Sequence, residues 1–304
     1  MLLRSLLLFL SRQQWLRRWV ENSPISQKLT RRFIAGKSLE EGLAVVTRLN
    51  AEGILATLDC LGENITSIDE AAGTRDAYLE ALRQIAELHL DSTVSIKLTH
   101  FGLDFSERAC RGYVAEVVAE AERLGNSVEI DMEAYPYVEP TLRTVTDLHE
   151  RFGCVRAVIQ AYLRRSEADI EVLCRRGIPV RLCKGAYKEP ASVAFPRKRQ
   201  VNENYRRLAA LLIEKGTRPA MATHDERIIA DVIRMAKERG LDPDRLEFQM
   251  LYGIRRSLQR RLVSEGYRVR LYVPYGVAWY PYFMRRLAER PANLFFLVKN
   301  LLRR

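Results

Sequence analysis

The chain has 304 residues, 47% of them hydrophobic and 29% charged, with a net charge of +11. This balance supports a large core and excludes a disordered or fibrous chain. Five cysteines with no CxxC pair and only four histidines speak against a zinc site, and suit buried thiols in a reducing compartment.

The first element is an apolar stretch. Leu2, Leu3, Leu6, Leu7 and Leu10 share one helical face, followed by Arg12, Arg17 and Arg18 interleaved with Trp15 and Trp19. The run from Leu6 to Leu10 is far short of the roughly 20 residues a bilayer span takes, and no small-residue cleavage site follows it. Two readings stand: an interfacial helix lying on a membrane, or a helix packed on the core. Residues 1–47 read as a helical extension, broken at Asn22-Ser23-Pro24 and at Gly36-Lys37-Ser38. Ser38 caps the next helix and Glu41 completes a capping box.

Over 48–304 the pattern alternates strand and helix. The predicted strands cover 54–59, 93–99, 127–133, 155–162, 178–184, 219–224, 246–251 and 267–273. They are short, apolar and rich in β-branched residues. Amphipathic stretches such as 75–89 and 202–216 lie between them. This order predicts an α/β fold, a (βα)8 TIM-type barrel with N-terminal helices. A doubly wound open sheet is the competitor, but no GxGxxG follows the first strand.

Barrel sites lie at the C-terminal strand ends. There the sequence places Asp59, Lys97, Asp131, Glu133, Gln160, Tyr162, Arg181, Lys184, Thr223, His224, Gln249, Arg270 and Tyr272. Such a wide polar mouth suits a large ligand. Singly, each residue has a plain alternative. Lys97 is either an ion-pair partner or a Schiff-base nucleophile. Asp131 is open to pairing with a neighbouring cation, Gln160 to being a satisfied amide, and His224 to lying in the core.

Two clusters are sharper. In Arg181-Leu182-Cys183-Lys184-Gly185-Ala186-Tyr187, small residues follow a strand and precede a turn. Their backbone N–H groups and the Lys charge suit an anion such as a phosphate. The alternative is a tight turn with a solvated Lys. In 277–293, Pro281 can start a helix and Pro291 stop it, and Tyr282, Arg285, Arg286 and Glu289 then share one face. Paired guanidinium groups suit a carboxylate; a solvent-facing charge network has the same spacing.

The segments SIKLTHFGL, EIDMEAY, VIQAYLRR, VRLCKGAYKE, MATHD, EFQMLYGIR, RLYVPYG and YFMRRLAERPAN, in this order, resemble the proline dehydrogenase family. The length resembles its stand-alone bacterial members. The resemblance implies a distorted barrel that holds FAD at its mouth. It also implies oxidation of L-proline to 1-pyrroline-5-carboxylate, with electrons passed to a membrane quinone. By the same resemblance Lys97 helps hold the substrate carboxylate, and Leu251 and Tyr272 wall the proline pocket. Tyr282, Arg285 and Arg286 form the substrate face of the last helix, oriented by Glu289. Asp131 is an active-site acid and Arg181 lies near the reactive flavin nitrogen. Met132, Gln160, Lys184, Gly185, Ala186, Thr223 and His224 contact the cofactor. Lys188 stands where some relatives carry an aromatic residue. No metal and no nucleic-acid partner are expected. The expected location is the cytoplasm, with peripheral contact at the inner face of the cytoplasmic membrane. The competing readings are another flavin barrel, such as a folate reductase, a Schiff-base aldolase, or a basic membrane- or RNA-binding protein on a non-catalytic barrel.

Overall fold

Eight parallel strands close a barrel in chain order, β1 through β8. They are β1 (Leu55–Cys60), β2 (Ser92–Ile96), β3 (Val128–Ile130), β4 (Val155–Gln160), β5 (Val180–Cys183), β6 (Ala220–Ala222), β7 (Glu247–Leu251) and β8 (Arg268–Tyr275). The computed structural model describes residues 32–62, 65–280 and 284. The (βα)8 expectation holds, and each strand falls within or close to its predicted span.

The helices are α1 (Leu39–Ala51), α2 (Ile68–Glu87), α3 (Glu107–Arg123), α4 (Val138–Phe152), α5 (Ser166–Arg175), α6 (Lys198–Lys215), α7 (Glu226–Glu238) and α8 (Arg256–Ser264). Several start on a short polar side chain that accepts an otherwise unpaired backbone N–H. Ser38, Ser67, Ser106 and Asp225 cap α1, α2, α3 and α7 in this way. The Ser38–Glu41 capping box forms as expected.

Strand alternation sorts the side chains into two populations. Leu58, Ile96, Ile130, Leu182, Phe248 and Leu271 point outward against the helices and are at most 1% exposed. Each such side chain contributes about 1.5–3 kcal/mol when fully buried. The alternate positions point into the lumen and are mostly polar.

Two differences from the predicted spans have local causes. β3 stops at Ile130 because the segment after it leaves the ladder. Glu133 instead accepts the Thr99 N–H at 3.1 Å and its hydroxyl at 2.5 Å. β8 runs two residues further than predicted, through Pro274 to Tyr275. Proline lacks the ladder N–H but keeps its carbonyl, which accepts the Ala35 N–H at 2.8 Å.

Helix α1 runs unbroken across position 47, where the sequence pattern divides extension from barrel. Gly276 N–H also donates to Gly36 O at 3.0 Å. The apolar face within residues 1–20 and the break at Asn22-Ser23-Pro24 lie outside the described residues. So do Tyr282, Arg285, Arg286 and Glu289, and Pro281 and Pro291. Among the described residues, no helix is long and apolar enough to cross a membrane.

Candidate active site

The lumen holds a column of ions. At its lower end, toward the strand N-termini, Arg270 Nε meets Glu247 Oε1 at 3.1 Å, and Arg156 Nη1 meets the same oxygen at 2.6 Å. Arg156 also reaches Glu129 Oε1 at 3.1 Å. The Gln249 amide donates to both Glu129 and Glu247 at 2.8 Å. Arg181 Nη1 meets Glu129 Oε2 at 2.6 Å, and its Nη2 bonds Asp131. Above this, Lys97 Nζ lies 3.1 Å from Asp131 Oδ2 and 3.0 Å from Asp59 Oδ1. The signs alternate along the whole column, with four cations (Arg270, Arg156, Arg181, Lys97) and four anions (Glu247, Glu129, Asp131, Asp59). Buried ions are tolerated only when paired and hydrogen-bonded, and this alternation supplies both conditions.

Four residues singled out in the sequence therefore meet here: Lys97, Asp131, Arg181 and Tyr272. The Tyr272 hydroxyl donates to Asp131 Oδ2 at 2.8 Å and accepts from Lys97 at 3.0 Å. Burial, with the Asp59 charge adding to it, pushes this phenol well above its ordinary value against the pull of Lys97 and Arg181. It stays protonated and keeps both bonds. Its ring also faces Lys97 at 5.7 Å and Arg181 at 5.6 Å. Lys97 lies between two carboxylates and reads here as an ion-pair partner.

The rim between β4 and β7 gathers a second group. Gln160 donates to Glu133 O at 2.9 Å and is 2% exposed. Met132 is buried in the segment just past β3. Lys184 Nζ pairs with Asp225 Oδ2 at 2.9 Å. Burial raises the Asp225 carboxyl, but the Lys184 bond and two α7 amides outweigh it and leave the group below its ordinary value. Gly185 has φ +98°, where side chains are disfavoured. A Cβ there would lie 2.2 Å from the Tyr162 ring, so local packing alone demands glycine. Ala186 follows on the same turn. Thr223 Oγ1 accepts the Asp225 N–H at 3.2 Å. His224 Nε2 accepts the Leu251 N–H at 2.9 Å, which places the proton of the neutral ring on Nδ1. Leu251 itself is half-buried at the end of β7.

Arg181, Gln249 and Arg270 correct the expected set of strand-end groups. Arg181 is the second residue of β5, Gln249 the middle of β7 and Arg270 the third residue of β8. All three lie inside the lumen, and Arg270 pairs with Glu247 near the strand N-termini. Sequence reasoning passed over Glu129, Arg156 and Glu247. Each is an even number of residues before a polar position already noted: Asp131, Gln160 and Gln249. Alternation carried back along the strand finds them. All five cysteines are free. Near the site, burial pushes Cys60 up to about 11 and raises Cys183 as well, so neither is a ready nucleophile.

Residues 43–299 match the family model described as "Proline dehydrogenase". Proline dehydrogenase 1 of Bacillus subtilis is 41% identical over 304 residues, covering 100% of both chains. The proline dehydrogenase of Deinococcus radiodurans is 41% identical over 280 residues, 90% of each chain. Among solved structures, proline utilization A from Bdellovibrio bacteriovorus, inactivated by N-propargylglycine, superposes with a TM-score of 0.81 at 29% identity. That match covers 87% of this chain and 33% of the longer one. With a family model spanning most of the barrel and full-length relatives at this identity, the chain belongs to the proline dehydrogenase family.

Proposed function

We propose that this enzyme oxidises L-proline to 1-pyrroline-5-carboxylate on bound FAD and passes the electrons to a membrane quinone. The observation that carries the reading is the cluster of Lys97, Asp131, Arg181 and Tyr272, two cations and a phenol held on shared carboxylates below the β4–β7 rim.

The rim suits a dinucleotide. It offers an ammonium, a hydroxyl, an imidazole and a carboxamide along one arc, from Gln160 through Lys184 to Thr223 and His224. Two buried polar atoms near that arc, the Tyr162 hydroxyl and the side-chain amide oxygen Oδ1 of Asn202, have no hydrogen-bond partner among the described residues. Capacity for a polar ligand therefore remains there. Lys184, Gly185 and Ala186 would hold its phosphates, with Met132, Gln160, Thr223 and His224 against the rest. When bound, FAD supplies the two-electron acceptor for the amine.

The chain's own part is placement and charge. Proline brings a carboxylate and a secondary amine. Lys97, with Arg285 and Arg286, neutralises the carboxylate. Tyr272, Leu251 and Tyr282 wall the apolar ring. Arg181 is the cation positioned to offset negative charge as the electrons arrive. Peripheral contact through residues 1–20 belongs to the same proposal and brings the site to its quinone. The test is the visible spectrum of the purified protein. Flavin bands bleached by L-proline, and restored by a short-chain quinone, are expected. A colourless protein, or a flavin indifferent to proline, overturns the reading.

A further inference from the structure

Arg181 is gripped by two carboxylates from consecutive inward positions of one strand segment, Glu129 and Asp131. The two do different work. Asp131 is shared, because its Oδ2 also takes the Tyr272 hydroxyl at 2.8 Å and Lys97 at 3.1 Å. Among the described residues, Glu129 makes no contact at that upper level. It is 2% exposed, and its Oε1 is held from below by Arg156 at 3.1 Å and by the Gln249 amide at 2.8 Å. Its Oε2 is thereby aimed at Arg181 Nη1, 2.6 Å away. Gln249 braces both partners, since its carbonyl accepts from Arg181 at 3.3 Å while its amide donates to Glu129.

We propose that Glu129 is a positioning residue: it fixes the Arg181 guanidinium under the site and balances its charge, which leaves Asp131 for Lys97 and Tyr272. The inference rests on the flavin reading of the preceding subsection. Without the Glu129 carboxylate, Asp131 is the one anionic anchor left to Arg181 among the described residues. It then competes with Lys97 for that group and is drawn out of place. A cation held near a flavin stabilises the reduced ring. Two signs are therefore separable. Plain removal of a negative charge makes the flavin's midpoint potential more positive. Loss of a correctly placed Arg181 makes it more negative.

The experiment measures midpoint potential and proline-driven flavin reduction in the holoenzyme for Glu129→Ala, Glu129→Gln, Arg181→Met and the double variant. Glu129→Ala is expected to lower the potential and slow reduction about tenfold, with KM for proline within about twofold; tenfold is about 1.4 kcal/mol. Glu129→Gln keeps an acceptor for Arg181 and should recover most of the rate. Adding Glu129→Ala to Arg181→Met should cost nothing further, because the two act through one group. A more positive potential, an unchanged one, or multiplicative effects in the double variant overturn the proposal. If Arg181→Met itself leaves both readouts unmoved, the placement of Arg181 beside a flavin fails instead. Should Glu129→Ala not accumulate, Glu129→Asp, which withdraws the charge by one methylene, takes its place: a lowered potential supports the proposal, and a raised or unchanged one overturns it.

Discussion

The wall of the barrel and its lumen are built from the same strands yet obey opposite rules. Phe248 and Glu247 are neighbours in β7, and both are at most 3% exposed. Phe248 packs outward and meets the Tyr267 ring edge-on at 5.4 Å. Glu247 points inward onto Arg156 and Arg270. Barrel lumens are commonly filled by layers of branched apolar side chains, and this one is filled by paired ions. Apolar burial tolerates small changes of shape and charge elsewhere, whereas removing one member of an ion column leaves its buried partners under-compensated. The wall therefore carries stability, and the lumen carries electrostatic placement at a continuing structural risk.

The largest effect is expected from removing one member of the column. Glu247→Ala removes the carboxylate that pairs with Arg270 and one of the two that pair with Arg156, and should cost about 3–5 kcal/mol. Replacing Glu247, Arg156 and Arg270 together with apolar residues of similar volume should be neutral or stabilising by roughly 1–4 kcal/mol. Phe248→Ala should also cost about 3–5 kcal/mol, as a cavity, with the activity per folded molecule retained. Urea midpoints with dye-linked turnover check all of these. If the triple replacement is as damaging as the single one, the column is not a set of mutually dependent charges.

Acid separates wall from lumen next. Burial alone would raise the Glu247 carboxyl, but Arg270, Arg156 and Gln249 outweigh it and hold the group far below its ordinary value of 4.5. The folded value is lower than the unfolded one. Its stabilising contribution is therefore complete above the unfolded value and is lost as pH falls toward the folded one. Stability should drop steeply as pH goes below about 4.5. Phe248→Ala should show the parental slope from a lower plateau, while Glu247→Gln should flatten it. Equal slopes in all three proteins would place the acid sensitivity elsewhere.

The smallest effect is expected from Arg286. Arg286→Met should raise KM for proline about tenfold, or about 1.4 kcal/mol, with flavin content and urea midpoint unchanged. If a carboxylate analogue of proline binds that variant as tightly as the parent, Arg286 is part of a surface charge network and not of the substrate face.

Much of the scaffold was legible in the chain. The alternation of Leu58 with Asp59, or of Ile130 with Asp131, names the outward and inward faces, because the strand period of two is local. Ser38 with Glu41 announces a helix start for the same reason: every atom involved lies within one turn. The closing of eight strands followed from their number and their intervening helices. The family motifs marked Lys97, Asp131, Arg181 and Tyr272 as site residues.

What stayed hidden depends on distance through space. Lys97 and Tyr272 are 175 positions apart, yet their polar atoms are 3.0 Å apart. Glu129 and Gln249 are separated by 120 positions and bond at 2.8 Å. Nothing local distinguishes an Arg181 at the rim from one sunk in the lumen, since its height is set by the stagger of β5 against β4 and β6. Gly185 reads as a phosphate-loop glycine in the sequence, and only the Tyr162 ring across the turn reveals that packing demands it too. The chain settled which residues face inward, because that is a property of neighbours along the backbone. Barrel closure settled which charges meet, because a buried charge takes its partner from whichever strand the register brings opposite.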